Sequence, residues 1–119
     1  MRRQSLLAAS GERDEGLARF QQNLQRLDDR VRRWPPTRWT AEGACGLPRA
    51  DVAYALALSL TQLARQAGNG SPAGPPPRLE PHGIADQLLV LGGEFTKAPE
   101  AAALSEAATA AVVLAAKSL

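Results

Sequence analysis

The sequence predicts an all-α fold, a small helical bundle of four helices with two Pro/Gly-rich connections. Apolar residues recur three or four residues apart in three separate segments, as they do on one face of a helix, and a fourth segment near the end of the sequence is apolar on almost all sides. Proline and glycine cluster between these segments, where they interrupt helices. No pair of segments forms an obvious sheet, and an isolated strand would have no partner.

Length and composition are typical of a single soluble domain. The chain has 119 residues, of which 45% are hydrophobic and 22% are charged. A chain of this length usually forms one core. Because aromatic residues make up only 4%, leucine, valine and alanine must supply most of that core. We predict a flexible N-terminal tail over residues 1–9 and a single helical-bundle domain over residues 10–119.

The first predicted helix begins after Ser10, a suitable N-cap residue, and runs to Trp34. Pro35-Pro36 ends it, because a residue before proline is disfavoured in the α conformation and proline lacks a backbone donor. One face of this helix must be buried against other helices. Its apolar residues, spaced alternately three and four apart, are Leu17, Phe20, Leu24, Leu27, Val31 and Trp34.

The second predicted helix lies between the two connections. Residues 35–47 contain two prolines and two glycines and are predicted to be irregular. Pro48 suits the first turn of a helix that runs to Ala67, where Gly68-Asn69-Gly70 ends it. The second connection, from Gly68 to Gly83, contains five prolines and four glycines, so we predict no helix or strand within it.

Two further helices are predicted after this connection. Ile84, Leu88, Leu91 and Phe95 have helical spacing, although Gln87–Leu91 before Gly92-Gly93 is also compatible with a short buried strand. The lack of a partner strand favours the helix. Pro99 begins the last helix, which has almost no polar stripe. We therefore expect it either at the centre of the bundle or at an interface with another chain.

The sequence predicts no signal peptide, no membrane-spanning helix and no internal disulfide bond. Cys45 is the single cysteine, so it forms no internal disulfide bond. The apolar run Leu6–Ala9 is shorter than the ~7 residues of a signal-peptide core. The strongly apolar segment 107–116 is about half as long as the ~20 residues of a membrane-spanning helix. We expect a cytoplasmic protein that does not enter a membrane.

Residues that could carry catalysis or hold a metal are sparse. His82 lies near Glu80 and Asp86, but zinc sites normally need more Cys and His ligands in a fixed geometry. Cys45 would need His82 within hydrogen-bond distance to act as a nucleophile, and no spacing in the sequence indicates that contact. We predict no catalytic residues, no metal ligands and no cofactor.

The segment Leu60–Gly68 resembles the first helix and turn of helix-turn-helix DNA-binding proteins, with a Leu-Ala pair followed by Ala-Gly. In that family the recognition helix begins directly after the turn. Here Ser71–Pro77 contains four prolines, which are incompatible with a helix. The sequence therefore does not predict DNA binding through this motif.

Positive charge is concentrated in the first half of the chain. Residues 1–50 carry ten arginines and six acidic residues, whereas residues 51–119 carry four basic and six acidic residues. Three arginines of the first helix recur at helical spacing and form a ridge beside its apolar face. Such a ridge is typical of a solvated helix flank and is also able to attract an acidic partner or nucleic acid.

These observations predict a non-enzymatic protein-interaction or accessory domain. The partner would be another protein, or a second copy of the chain bound through the last helix. The alternative is a nucleic-acid-associated protein that uses the arginine ridge. Because tryptophan is enriched at binding hot spots, the two tryptophans beside the prolines join the predicted surface. Its residues are Arg26, Arg30, Arg33, Trp34 and Trp39.

Overall fold

Helices form most of the described part of the chain. The computed structural model describes residues 2–69 and 74–119, with side chains from residue 15 onward. No strand occurs in these residues, which confirms the predicted all-α class. A short 3₁₀ helix, Ala101–Leu104, leads directly into the last helix. The α-helices in chain order are α1 (Arg2–Val31), α2 (Pro36–Thr40), α3 (Arg49–Gln66), α4 (Pro81–Lys97) and α5 (Ser105–Ser118).

Both ends of α1 differ from the prediction. The helix begins at Arg2, ahead of the N-cap predicted at Ser10. It ends at Val31, and the Trp34 N–H donates to the Val31 carbonyl at 3.0 Å in a turn that prepares the chain for the prolines. The side chains of residues 1–14 lie outside the described part. The division into a tail and a bundle therefore stays a prediction.

The first connection contains a helix that the sequence analysis did not predict. In α2, Pro36 occupies the first helical turn, and the N–H groups of Arg38 and Trp39 both donate to the Pro35 carbonyl. Irregular structure is confined to the following residues, where Gly46 has a φ of +83°, a conformation that favours glycine. The prediction that residues 35–47 are irregular throughout was wrong.

The segment predicted as helix or strand is helical, and Gly92-Gly93 lies inside α4. A Cβ atom on Gly92 would overlap the Leu24 Cδ2 atom of α1, whereas one on Gly93 would meet nothing within 4 Å. Gly92 therefore permits close approach of α1 and α4, and this contact compensates for the low helix propensity of glycine.

The core is enclosed by four helices, with α1 and α3 on opposite sides of α4 and α5. α1 packs against α4 and α5, and α3 packs against the same two helices. Phe20 of α1 and Phe95 of α4 are fully buried in an edge-to-face pair, with ring centroids 5.2 Å apart. The predicted apolar face of α1 is largely confirmed: its buried residues are Phe20, Leu24, Leu27 and Val31.

A buried carboxylate also joins α1 to α4. Asp28 is 1% exposed and accepts a 2.8 Å hydrogen bond from Arg32, whose guanidinium also donates to Asp86 of α4 at 2.8 Å. The hydrogen bond to Asp28, together with that to Asp86, raises the pKa of Arg32 above its ordinary value. The other carboxylate oxygen of Asp28, Oδ1, has no hydrogen-bond partner among the described residues.

The proline-rich segment is attached to α3 and α4. Residues 74–80 carry no helix, and the Tyr54 hydroxyl donates to the Pro76 carbonyl at 2.6 Å. Arg78 binds Asp51 of α3, while the Gln87 amide of α4 donates to the Pro77 carbonyl. Residues 74–80, which follow the helix-turn-helix-like segment, therefore lie against α3 and α4 without forming a helix.

The last helix has one buried face and an exposed leucine on its other side. Ala108, Val112 and Ala115 are buried, whereas Leu114 is 66% exposed. Within the described residues, Ala101–Ser118 is the one helical stretch whose length and composition would suit a membrane span, at a mean hydropathy of 1.2. Core helices of soluble proteins satisfy the same criterion. Self-association through this helix stays a prediction.

Candidate interaction surface

Trp34 is the centre of an arginine cluster at one end of the bundle. The guanidinium carbons of Arg30, Arg38 and Arg49 lie 5.6, 4.7 and 5.7 Å from the centroid of its ring. These three residues belong to α1, α2 and α3, so the cluster exists only in the folded chain. The electron-rich ring attracts the cations, and three like charges gather around one half-buried side chain. We call these four residues the Arg–Trp cluster.

Backbone carbonyls at the end of α5 hold two of these arginines in place. Arg30 Nη1 donates to the Ala116 carbonyl at 2.9 Å, and Arg49 Nε donates to the Leu119 carbonyl at 2.9 Å. The last carbonyls of a helix lack intrahelical partners and carry partial negative charge, so cations are favourable there. Arg49 also donates to the Arg38 carbonyl at 3.2 Å, which links α3 to α2.

The two tryptophans have different positions. Trp39 is 2% exposed and is part of the core, whereas Trp34 is half-buried. Their ring centroids lie 5.1 Å apart with the planes inclined at 59°, so Trp39 supports Trp34 from the inside. Of the two tryptophans predicted as interaction residues, Trp34 is thus the one that a partner can reach.

The arginine ridge of α1 continues from the cluster along a groove between α1 and α5. Arg26 and Arg30 stand on the α1 side of this groove and Lys117 on the α5 side, and its volume is about 310 Å³. Its remaining lining residues are Asn23, Leu27, Val112, Val113 and Ala116. The sequence-predicted Arg33 is exposed and forms no hydrogen bond or ion pair with the described residues. The structure thus brings Arg30 and Trp34 into contact and places Arg26 beside them on the groove.

Arg38 and Arg49 were missed by the sequence analysis. Both lie outside the periodic pattern of α1, and each reaches Trp34 from a different helix. A signal for Arg38 was present, since it lies beside the double proline and the second tryptophan. No sequence pattern brings Arg49 to the same place, because its position depends on how α3 packs.

Residues considered for catalysis belong neither to the Arg–Trp cluster nor to the lining of the groove between α1 and α5. His82 and Cys45 are both exposed, and Asp86, which was considered beside His82, binds Arg32, the residue after the end of α1. Among the residues that the structure describes, no three His, Cys, Asp or Glu side chains gather in a way that could hold a metal ion.

A larger groove of about 520 Å³ lies between α3, α4 and the proline-rich segment. Pro75, Pro76 and Pro77 line one side of it, and Val90 of α4, which is 60% exposed, lines another. Charges of both signs, from Arg65 and Glu94, occur among its lining residues. It therefore lacks the single sign of charge found along the groove between α1 and α5.

Comparison of the chain with protein families, with curated proteins and with solved structures finds no match. The features of this chain that bear on its function are the Arg–Trp cluster and the groove between α1 and α5.

Proposed function

We propose that this chain is a non-enzymatic protein-interaction domain whose Arg–Trp cluster binds an acidic segment of a protein partner. The observation that carries the proposal is the convergence of three guanidinium groups on half-buried Trp34. Tryptophan and arginine are the residue types most enriched at binding hot spots. Guanidinium groups bind carboxylates in a two-point geometry that a lysine ammonium does not reproduce.

Preorganisation supports this proposal. Arg30 and Arg49 are held by carbonyl groups of α5 before any partner arrives, so less side-chain freedom is lost on binding. Each retains further N–H donors, because a guanidinium carries five. A cluster of fixed cations also accelerates the encounter with an acidic partner, an effect that salt reduces.

The second candidate is a nucleic-acid-associated protein, which the exposed arginines of α1 favour. Phosphate groups would bind the same cations. Single-stranded nucleic acids also need an open aromatic face on which bases stack. Three guanidinium groups already lie within 6 Å of the Trp34 centroid, so this ring is a poor stacking platform. Acidic protein is therefore the preferred partner.

Partner capture with matched charge reversals tests the proposal. Cross-linking and co-purification would compare the wild type with Arg38→Glu, which reverses the charge nearest Trp34, and with the control Arg65→Glu on α3. We expect a reproducible partner protein to be lost with Arg38→Glu and kept with Arg65→Glu, and to bind the purified chain directly. Equal capture by both variants would overturn the proposal, provided that circular dichroism shows both to be folded.

Binding to duplex DNA and to single-stranded RNA separates the two candidates. The proposed function predicts no binding of either at physiological salt. Affinity for nucleic acid that falls steeply with added salt and that disappears in Arg38→Glu would instead favour the second candidate.

A further inference from the structure

The groove between α1 and α5 follows a close contact of the two helices. Ahead of the groove, Gly16 of α1 lies so close to Ser105 that a Cβ atom would overlap the serine hydroxyl. Further along, Arg30 meets Ala116, so the two helices run in the same direction. Between these contacts, α5 presents the short side chains of half-buried Val113 and Ala116, which leave the space between the helices unfilled.

The groove has an apolar floor and a basic rim. Leu27 and Val112, which are 3% and 1% exposed, close its base, and half-buried Val113 and Ala116 offer the apolar surface that a ligand can reach. Arg26, Arg30 and Lys117 stand along its edges, and no acidic residue of the described part of the chain lines it. The complementary ligand therefore has an apolar surface that fits the floor and negative charges that meet the rim.

We infer that this groove receives a short amphipathic helix of the protein partner, with an apolar face and with Asp or Glu on its flanks. The inference rests on the proposed function and specifies the shape and charge of the segment that is bound. Arg30 belongs to both the Arg–Trp cluster and the rim, so a segment in the groove would lead directly to Trp34.

A helix fits this groove better than an extended strand. Both edges of the groove are helices, whose backbone groups are bonded internally and offer no sheet edge for a strand to extend. A bound helix satisfies its own backbone and needs only side-chain contacts. From Asn23 to Arg30 the groove extends for about 10 Å at the 1.5 Å rise of a helix, which matches about two turns of a ligand helix.

The test uses a designed peptide as the probe. A fluorescein-labelled peptide of about four helical turns would carry leucines at helical spacing and glutamates on both flanks. A scrambled peptide of the same composition and a peptide with lysine in place of glutamate would serve as controls. Fluorescence anisotropy measures binding to the full chain. We expect saturable binding of the acidic amphipathic peptide and at least about tenfold weaker binding of both control peptides.

Two variants locate the binding to the groove. Arg26→Glu reverses a rim charge, and Val113→Gln places a polar side chain on the half-buried edge of the floor. Each should weaken binding of the acidic peptide by about tenfold, whereas Arg65→Glu on α3 should leave it unchanged. Equal binding by wild type, Arg26→Glu and Val113→Gln would overturn the inference, as would equal binding of the scrambled peptide.

Other ligands would also overturn the inference. Vesicles of anionic phosphatidylglycerol or duplex DNA, bound in a manner that Arg26→Glu abolishes while the acidic peptide does not bind, would assign the rim to phosphate groups. Failure of the peptide, with a captured protein still lost in Arg38→Glu, would reject the groove and leave the proposed function standing. If the acidic peptide does not bind and Arg38→Glu does not lose the captured protein, the proposed function is rejected as well.

Discussion

The two sides of α1 differ in how they are packed. Towards α4, Phe20 meets Phe95 at 5.2 Å and Gly92 makes room for Leu24. Phe20, Leu24 and Gly92 also line a groove of about 560 Å³, and the described residues that line it carry no charge. Towards α5, past the close contact at Gly16, the contact opens into a groove with a basic rim. One helix therefore contributes its apolar face to stability and an adjacent flank to the proposed binding surface.

The difference shows that an apolar repeat identifies the buried face without indicating which polar groups border it. Phe20 and Leu27 belong to the same repeat and are 0% and 3% exposed. Phe20 packs against an aromatic partner beside the uncharged groove, whereas Leu27 lies at the base of the groove with the basic rim. Stability and binding measurements should separate these two regions.

The largest expected effect is on the side of α1 that faces α4. Phe95→Ala should lower the free energy of unfolding by about 3–5 kcal/mol, because it removes a fully buried ring and leaves a cavity against Phe20. Val113→Ala, at the edge of the groove, should cost less than about 1 kcal/mol because its side chain is half-exposed. Urea denaturation measures both, and similar losses would contradict the contrast between the two sides.

Adjacent glycines of α4 provide the next comparison. Gly92→Ala should destabilise the chain by about 1–3 kcal/mol, because the new methyl group overlaps Leu24. Gly93→Ala meets no neighbour within 4 Å and should stabilise the helix by up to about 1 kcal/mol. Thermal and urea unfolding of the two single variants measure the difference. Equal changes of either sign would mean that α1 and α4 do not approach closely at Gly92.

The polar link between α1 and α4 should have a smaller effect. Asp28→Asn should destabilise the chain by about 1–2 kcal/mol, because a neutral amide binds Arg32 more weakly than a buried carboxylate does. The control is Asp86→Asn. Asp86 binds the same Arg32, but its side chain is 69% exposed, so this variant should lower the free energy of unfolding by less than about 1 kcal/mol. A stabilising Asp28→Asn would show that desolvation of the carboxylate, with its unpaired Oδ1, exceeds the gain from Arg32.

The smallest stability effect is expected on the rim of the groove. Arg26 is exposed, so Arg26→Glu should change the free energy of unfolding by no more than about 0.5 kcal/mol. The same variant is expected to weaken peptide binding. A large loss of stability would instead make Arg26 a structural residue of the contact between α1 and α5.

Local periodicity predicted most of the fold. The buried residues of α1, the helical character of residues 84–95 and the end of α3 before Gly68 followed from spacing and from helix-breaking residues. The short helix α2 was missed because five residues are too few for a periodic pattern. The start of α1 at Arg2 was missed because Ser10 offered a suitable cap inside a longer helix.

The candidate surface was less predictable, because it depends on contacts between distant parts of the chain. Arg26, Arg30 and Trp34 were accessible from the pattern of one helix, but the burial of Trp39 depends on tertiary packing. Arg49 joins Trp34 across the bundle, and Gly92 is explained only by Leu24 of another helix. A glycine pair inside an apolar repeat was the available signal for such a close approach.

The pairing of α1 with α4 and α5 has a consequence for the order of folding. The two long helices that come first in the chain, α1 and α3, both pack against helices that are synthesised later. Arg30 and Ala116, which are 86 residues apart, meet only when the last helix is present. Contacts over such separations slow folding, because long loops must close first. During synthesis, the apolar face of α1 must therefore stay uncovered, and open to chaperones, until α4 and α5 have emerged.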